Sequence, residues 1–239
     1  MVTSFKNLTL VLISSFVSML IHAQLGPEVP FSLSIEPIQG TFITGTHSSA
    51  IAKSGDKWLV IGGSVNGLHG LNSNDGFPTE LANQFIIVLD TNTWTESIAS
   101  LNQIPASIAD PLRSTNMEYI QMGSYLYMAG GYGRDNVAGI FVTFPKLTAI
   151  HVDSMINAVL NGESIAPHIR QITDSRFQVC GGELGNIGQE LYLLFGHNFG
   201  GRYTDPPTPL FTQTYTDRIT KFSLLDDGIT MTPQSFVDF

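Results

Sequence analysis

The chain has 239 residues, a formal net charge of −9 at pH 7, only 13% charged residues, 23 glycines and a single cysteine. The acidic balance argues against nucleic acid or an anionic membrane as partner, and one thiol excludes an internal disulfide framework. Sparse charge with abundant glycine fits tightly connected strands better than a helical bundle. At the N-terminus, Lys6 supplies a positive n-region, Leu8 to Ile21 an apolar run, and His22-Ala23-Gln24 a cleavage point after Ala23. That layout is a secretory signal peptide, and its apolar run is shorter than the ~20 residues a spanning helix needs. Residues 1–23 are therefore expected to be removed, leaving a secreted or periplasmic protein. No cysteine follows the cut to carry a lipid anchor, and no membrane span is expected.

Segment 24–46 contains Phe31 to Ile38, which reads as a strand able to close a ring. Beyond it, three segments share one pattern, a hydrophobic strand ending in glycine: Lys57 to Gly63, Tyr125 to Gly131 and Glu190 to His197. In the third, histidine stands where the second glycine is expected. Aligned on their last residues, they lie 68 and then 66 residues apart. Each has a strand-like run upstream, at His47 to Lys53, Ser114 to Gln121 and Arg176 to Cys180. Ser54-Gly55-Asp56 and Gly123-Ser124 make tight turns in the first two copies, and Gly181 to Gln189 a longer loop in the third. A third strand is expected at Gln84 to Leu89, Ile140 to Phe144 and Arg218 to Leu224. A fourth is expected at Thr93 to Ile98, Leu147 to Val152 and Ile229 to Met231. Four antiparallel strands joined by short turns make one propeller blade. The predicted blades are about 47–105, 106–167 and 168–239. Asp153 or Ser154 starts a short helix to Leu160, with Met155, Ile156, Val159 and Leu160 on one face and Gly162 as its stop.

The glycine pair Gly62-Gly63, then Leu89-Asp90 and Thr93-Trp94, resembles a kelch repeat. The second copy keeps Gly130-Gly131 but has Phe144-Pro145-Lys146 where Asp and Trp belong, and the third lacks the second glycine and the tryptophan. The long insertions are similar to those of exported bacterial kelch proteins of the Bacteroidetes type. The resemblance implies an all-β, kelch-type β-propeller. Three blades do not close a ring, so the sequence reads as an incomplete one, either a truncated frame or a partial propeller that needs partners. Uncovered blade surfaces would then favour self-association.

Chemistry-bearing patterns are few. The histidines lack zinc-ligand spacing and a cysteine partner, Cys180 reads as a buried core thiol, and Asn72 to Gly76 as a solvated turn. No nucleophile elbow or P-loop is present, and no cofactor or metal is expected. The residues placed at the channel mouth are Arg113, Asn116, Tyr132, Arg134, Arg170, Arg176, His197 and Arg202, with His47, Asp110, His168 and Tyr203 beside them. Arginine can grip a carboxylate through two parallel hydrogen bonds. The plain structural alternative is that Arg113, Arg170 and Arg176 pair with Asp110 and Asp174 to hold blades together. Two functions follow: a binding module for a protein or carbohydrate ligand, or a carbohydrate enzyme like the sialic acid mutarotases of the family. The second requires Arg113, Arg176 and His197 to share a pocket.

Overall fold

The structure, a computed structural model, describes residues 31–35, 44–67, 78–202 and 211–239. The signal segment, residues 36–38, the loop Asn72 to Gly76 and Tyr203 lie outside them. The chain divides into two compact units, Met1–Gln39 and Gly40–Phe239. In the first, Phe31–Ile35 takes no regular secondary structure and is exposed.

The second unit is all-β, with four antiparallel four-stranded sheets. The first sheet runs in chain order, β1 (Ala50–Ser54), β2 (Lys57–Ile61), β3 (Phe85–Asp90) and β4 (Thr95–Ser100). Its alternating pattern puts Ala50, Ala52, Leu59, Ile61, Ile86 and Val88 on one buried face. Next comes a short helix, α1 (Ala106–Leu112), which the sequence reading missed. It starts behind Pro105 and buries Ala109 and Leu112.

The second sheet begins with β5 (Glu118–Met122) and β6 (Tyr125–Ala129). Here the chain departs from expectation. Ile140 to Phe144 does not join this sheet. β7 (Tyr132–Asp135) and β8 (Ile140–Thr143) form a hairpin that leaves it directly after the glycine pair. The third strand is β9 (Pro145–His151), which pairs with β6 and begins at a proline, where a missing N–H costs least. The helix α2 (Val152–Asn161) follows, capped by the His151 Nδ1, which accepts the Ser154 N–H, and stopped by Gly162 at φ +67°. Met155, Ile156 and Val159 are buried as expected, whereas Leu160 faces solvent. The apolar face packs on the first sheet, so the helix fills the space between first and second blades.

The fourth strand of the second sheet is β10 (Ile169–Gln178), paired with β9. It takes in Arg176 to Gln178, so the second blade runs to Gln178 and not to 167. The third sheet therefore starts later, at β11 (Glu183–Ile187), within the stretch expected to be a loop. It continues with β12 (Glu190–Leu194), then a second excursion, β13 (His197–Gly201) and β14 (Phe211–Tyr215), and finishes with β15 (Ile219–Asp226) and β16 (Met231–Asp238). Gly185 and Asn186 are poor strand formers, and pairing with β12 overrides them. The third copy thus keeps the same two-residue turn as the others: Gly55-Asp56, Gly123-Ser124 and Gly188-Gln189, each with its glycine at φ between +55° and +61°. The two excursions, β7–β8 and β13–β14, join through Gly200 and Val142 into the fourth sheet, order β14-β13-β8-β7.

The repeat register also shifts by one residue. Gly62-Gly63 and Gly130-Gly131 have φ near +68° and +86°, and Phe195-Gly196 repeats that pair at +53° and +82°. Phenylalanine has therefore replaced the first glycine, and His197 is the residue after the pair. Gly196 lies 65 residues beyond Gly131. Among the first strands of the blade sheets, β5 lies against both β1 and β11, the arrangement of innermost strands around an axis. One core fills the first seam and α2; another, with Leu147, Phe177, Leu191 and Phe222, fills the second.

Candidate binding cleft and the axial end of the blades

Each inner strand is entered through the same three-residue device. His47, Thr115 and Cys180 bridge to Ser64, Tyr132 and His197, the residues that follow the glycine pairs. The next residue, Ser48, Asn116 or Gly181, turns left-handed at φ +57°, +55° or +69°. Two backbone bonds then cross each seam. In the first, the Gly63 N–H donates to Ser114 O (2.8 Å) and the Asn116 N–H to Ser48 O (3.1 Å). In the second, the Gly131 N–H donates to Val179 O (2.9 Å) and the Gly181 N–H to Asn116 O (2.9 Å). The close approach explains the glycine: a Cβ on Gly130 would sit 1.8 Å from Val179 O.

This framework distributes the predicted channel-mouth residues among several places. Arg113 pairs with Asp110 at 2.8 Å and donates to Asn102 Oδ1 at 2.8 Å. Asp110 also accepts the N–H and side-chain amide of Asn136, tying α1 to the β7–β8 turn. Arg134 and Arg202 both stack on Phe141, at 5.3 and 5.0 Å from its ring centre. Tyr132 packs edge-on against Phe199. Arg170 grips Asp226 across the second seam with both guanidinium nitrogens and lies over the Tyr125 ring. The Tyr127 hydroxyl donates to the same carboxylate at 2.9 Å. Arg176 pairs with Asp174 and covers the Phe236 ring of the third blade at 3.3 Å.

The expected pairs Arg113–Asp110 and Arg176–Asp174 form, but each lies within one stretch of chain, at α1 and along β10, so neither ion pair joins two blades. Arg170 has a different partner, Asp226, and is the one that links two blades through an ion pair. Asn116 turns into the second inner strand, and His47 has its Nδ1 3.1 Å from Ser48 Oγ. His168 closes a 3₁₀ turn before β10. His197 Nε2 stands 3.5 Å from Cys180 Sγ. Burial lowers the His197 pKa and pushes that of Cys180 up to about 11, so this pair is a neutral thiol beside a neutral ring. Among the described residues, Arg113, Arg176 and His197 have separate partners, Asp110, Asp174 and Cys180.

One buried acid escaped the sequence reading. Glu118, 2% exposed at the start of β5, accepts the Gly182 N–H through Oε1, while its Oε2 has no hydrogen-bond partner. Burial lifts its pKa to about 7. Its signal was an acid on a strand whose same-face neighbours, Ile120 and Met122, are apolar.

Among the described residues, the cavity best furnished for a ligand lies where β10, β12, β15 and the β13–β14 hairpin meet. It has a volume of about 370 Å³, within the roughly 300–1,000 Å³ of ligand sites. Phe195 and Tyr215 present exposed rings to it. Arg176, Arg218, Asp238 and Asn198 supply donors and acceptors, with Arg218 and Asp238 3.3 Å apart. Arg176 alone was foreseen. The others belong to the third blade and its hairpin; the β13–β14 hairpin and the run of β16 to Asp238 lie outside the strands expected there. No helix among the described residues is long and apolar enough to cross a membrane. No cluster of three or more His, Cys, Asp or Glu suited to a metal occurs among them either.

No family model and no curated protein matches the chain. Among solved structures it is similar to one titled "Structure of YjhT", at 13% identity and a TM-score of 0.31, covering 84% of this chain and 67% of the other. The chain itself is an all-β protein whose repeated four-stranded sheets are arranged as propeller blades.

Proposed function

We propose that this chain is an exported kelch-type propeller module that binds a polar, saccharide-like ligand in the cleft between β10, β12, β15 and the β13–β14 hairpin. The observation that carries the reading is the pairing of two exposed aromatic rings, Phe195 and Tyr215, with Arg176, Arg218, Asn198 and Asp238 around one cavity. Sugar rings offer apolar C–H faces that stack on aromatic side chains, and hydroxyls that suit planar amide and guanidinium groups. The kelch reading rests on the glycine-ended strands and their repeated seam geometry, and the export reading on residues 1–23.

The enzyme reading has less support, because its three residues are held at separate places. Binding of the chain to an array of neutral and carboxylated saccharides tests the proposal. The expected result is a saccharide whose affinity falls at least tenfold on Tyr215→Ala and on Arg218→Ala, with the circular dichroism of the fold retained. No binding across the array, or binding that neither substitution weakens, overturns it.

A further inference from the structure

We infer that the chain has a second ligand site, at the turn end of the second seam, which takes a primary carboxamide such as the side chain of a glutamine residue. The observation behind it is that the two seams are unequal. At the first, Gln121 of β5 reaches across to β1. Its Oε1 accepts the Lys53 N–H and its Nε2 donates to the Lys53 carbonyl, both at 2.8 Å. One edge of a carboxamide thus satisfies the donor and the acceptor of a single residue on a strand edge.

Strand register carries the same arrangement to the second seam. Lys53, Gln121 and Asn186 stand opposite Trp58, Leu126 and Leu191, each two residues before its turn glycine. Residues that flank a two-residue turn exchange hydrogen bonds, so the next residue out points its main-chain groups away from the hairpin. For Lys53 those groups meet Gln121. For Gln121 they meet no partner among the described residues. Asn186 is placed to reach them, but it is one methylene shorter than glutamine. Its Nδ2 donates instead to Gly188 O at 2.9 Å.

A cavity of about 580 Å³ opens at this place, within the range of ligand sites. The side chain of Gln121 points to the first blade, so Gln121 lines the cavity with its main chain. Met122, Leu191 and Leu224 supply apolar wall for a short aliphatic stem. Asp226 also lines it, with its charge matched by Arg170. A carboxylate has no N–H for the Gln121 carbonyl, so the site favours glutamine over glutamate. It shares no lining residue with the β10–β12–β15 cleft.

NMR titration of the labelled chain tests the site, with propionamide and acetylglutamine methylamide as probes and propionate and acetylglutamate methylamide as controls. Both amides should shift the Gln121 and Asn186 main-chain signals at one site, and both acids should bind at least about tenfold more weakly. A response to propionamide alone assigns a free amide as the ligand, and tighter binding of the glutamine derivative assigns a peptide side chain. Asn186→Gln should fill the site from within, as Gln121 does at the first seam. It should bind neither amide and melt at a higher temperature than the parent. No binding of either amide, acids bound as well as amides, or binding kept in Asn186→Gln overturns the proposal. Should that variant fail to fold, hydrogen exchange of the Gln121 amide in the parent decides. Propionamide should slow it and propionate should not, and an unchanged rate with propionamide counts against the site.

Discussion

Glu118 shows what one side chain can impose on this fold. Its carboxyl fastens the second blade to the start of the third through the Gly182 N–H, yet its other oxygen is buried without a partner. Its folded pKa of about 7 exceeds the ordinary carboxyl value of 4.5, so the folded state holds the proton more tightly than the unfolded one. Stability from this group is fully present below about pH 4.5 and is lost as pH rises through 7. Glu118→Gln keeps the acceptor for Gly182 and removes the charge. The variant should be more stable than the parent at pH 8 by up to about 3 kcal/mol and nearly equal to it at about pH 4, read by denaturant unfolding at the two pH values. A pH-independent difference would contradict this account. Asp90 titrates in the opposite sense: Lys57 and the N–H groups of Asn92 and Thr93 hold its pKa near 2, so its contribution is lost only in strong acid.

At the scale of elements, the second seam depends on a polar knot as well as on Phe177 and Phe222. Asp226 of β15 receives both guanidinium nitrogens of Arg170 from β10 and the hydroxyl of Tyr127 from β6. Its side chain is 6% exposed. Asp226→Ala leaves a half-buried arginine and a hydroxyl without their acceptor, and should cost about 2–4 kcal/mol in urea unfolding. A loss below about 0.5 kcal/mol would show that the knot is dispensable.

The same elements show how far the sequence could be read. The whole first blade was legible, because Ile86 to Leu89 and Trp58 to Ile61 are rich in strand formers and the turns carry glycine. In the second and third blades the glycine-ended strands were legible, and so were the strands near Glu118, Leu147 and Ile219 that pair with them; the two hairpins and the inner strand of the third blade were not. Ile140 to Thr143 has the composition of a core strand, but pairs with a distant hairpin through Gly200 and Val142. Glu183 to Ile187 has the composition of a loop, yet its register with β12 makes it an inner strand. Phe195 hid the repeat by taking a left-handed backbone that normally selects glycine. For the candidate site, residue type alone found Arg176 but not Tyr215, Arg218 or Asp238, because the cleft is assembled by four separate segments between Ser175 and Asp238.

Across the whole molecule, three blades share one axial register, each entered through a left-handed residue and joined to the next by two backbone bonds. That register decides where the cleft forms. It stands or falls on the third blade beginning at Glu183 rather than at Arg176. Amide hydrogen exchange of the native chain, resolved to short peptides, measures this directly. The account predicts that amides of Glu183–Ile187 that face β12 exchange as slowly as those of β5 that face β6. Exchange of the 183–187 segment at the rate of an open loop, with protection ending at Cys180, would contradict it.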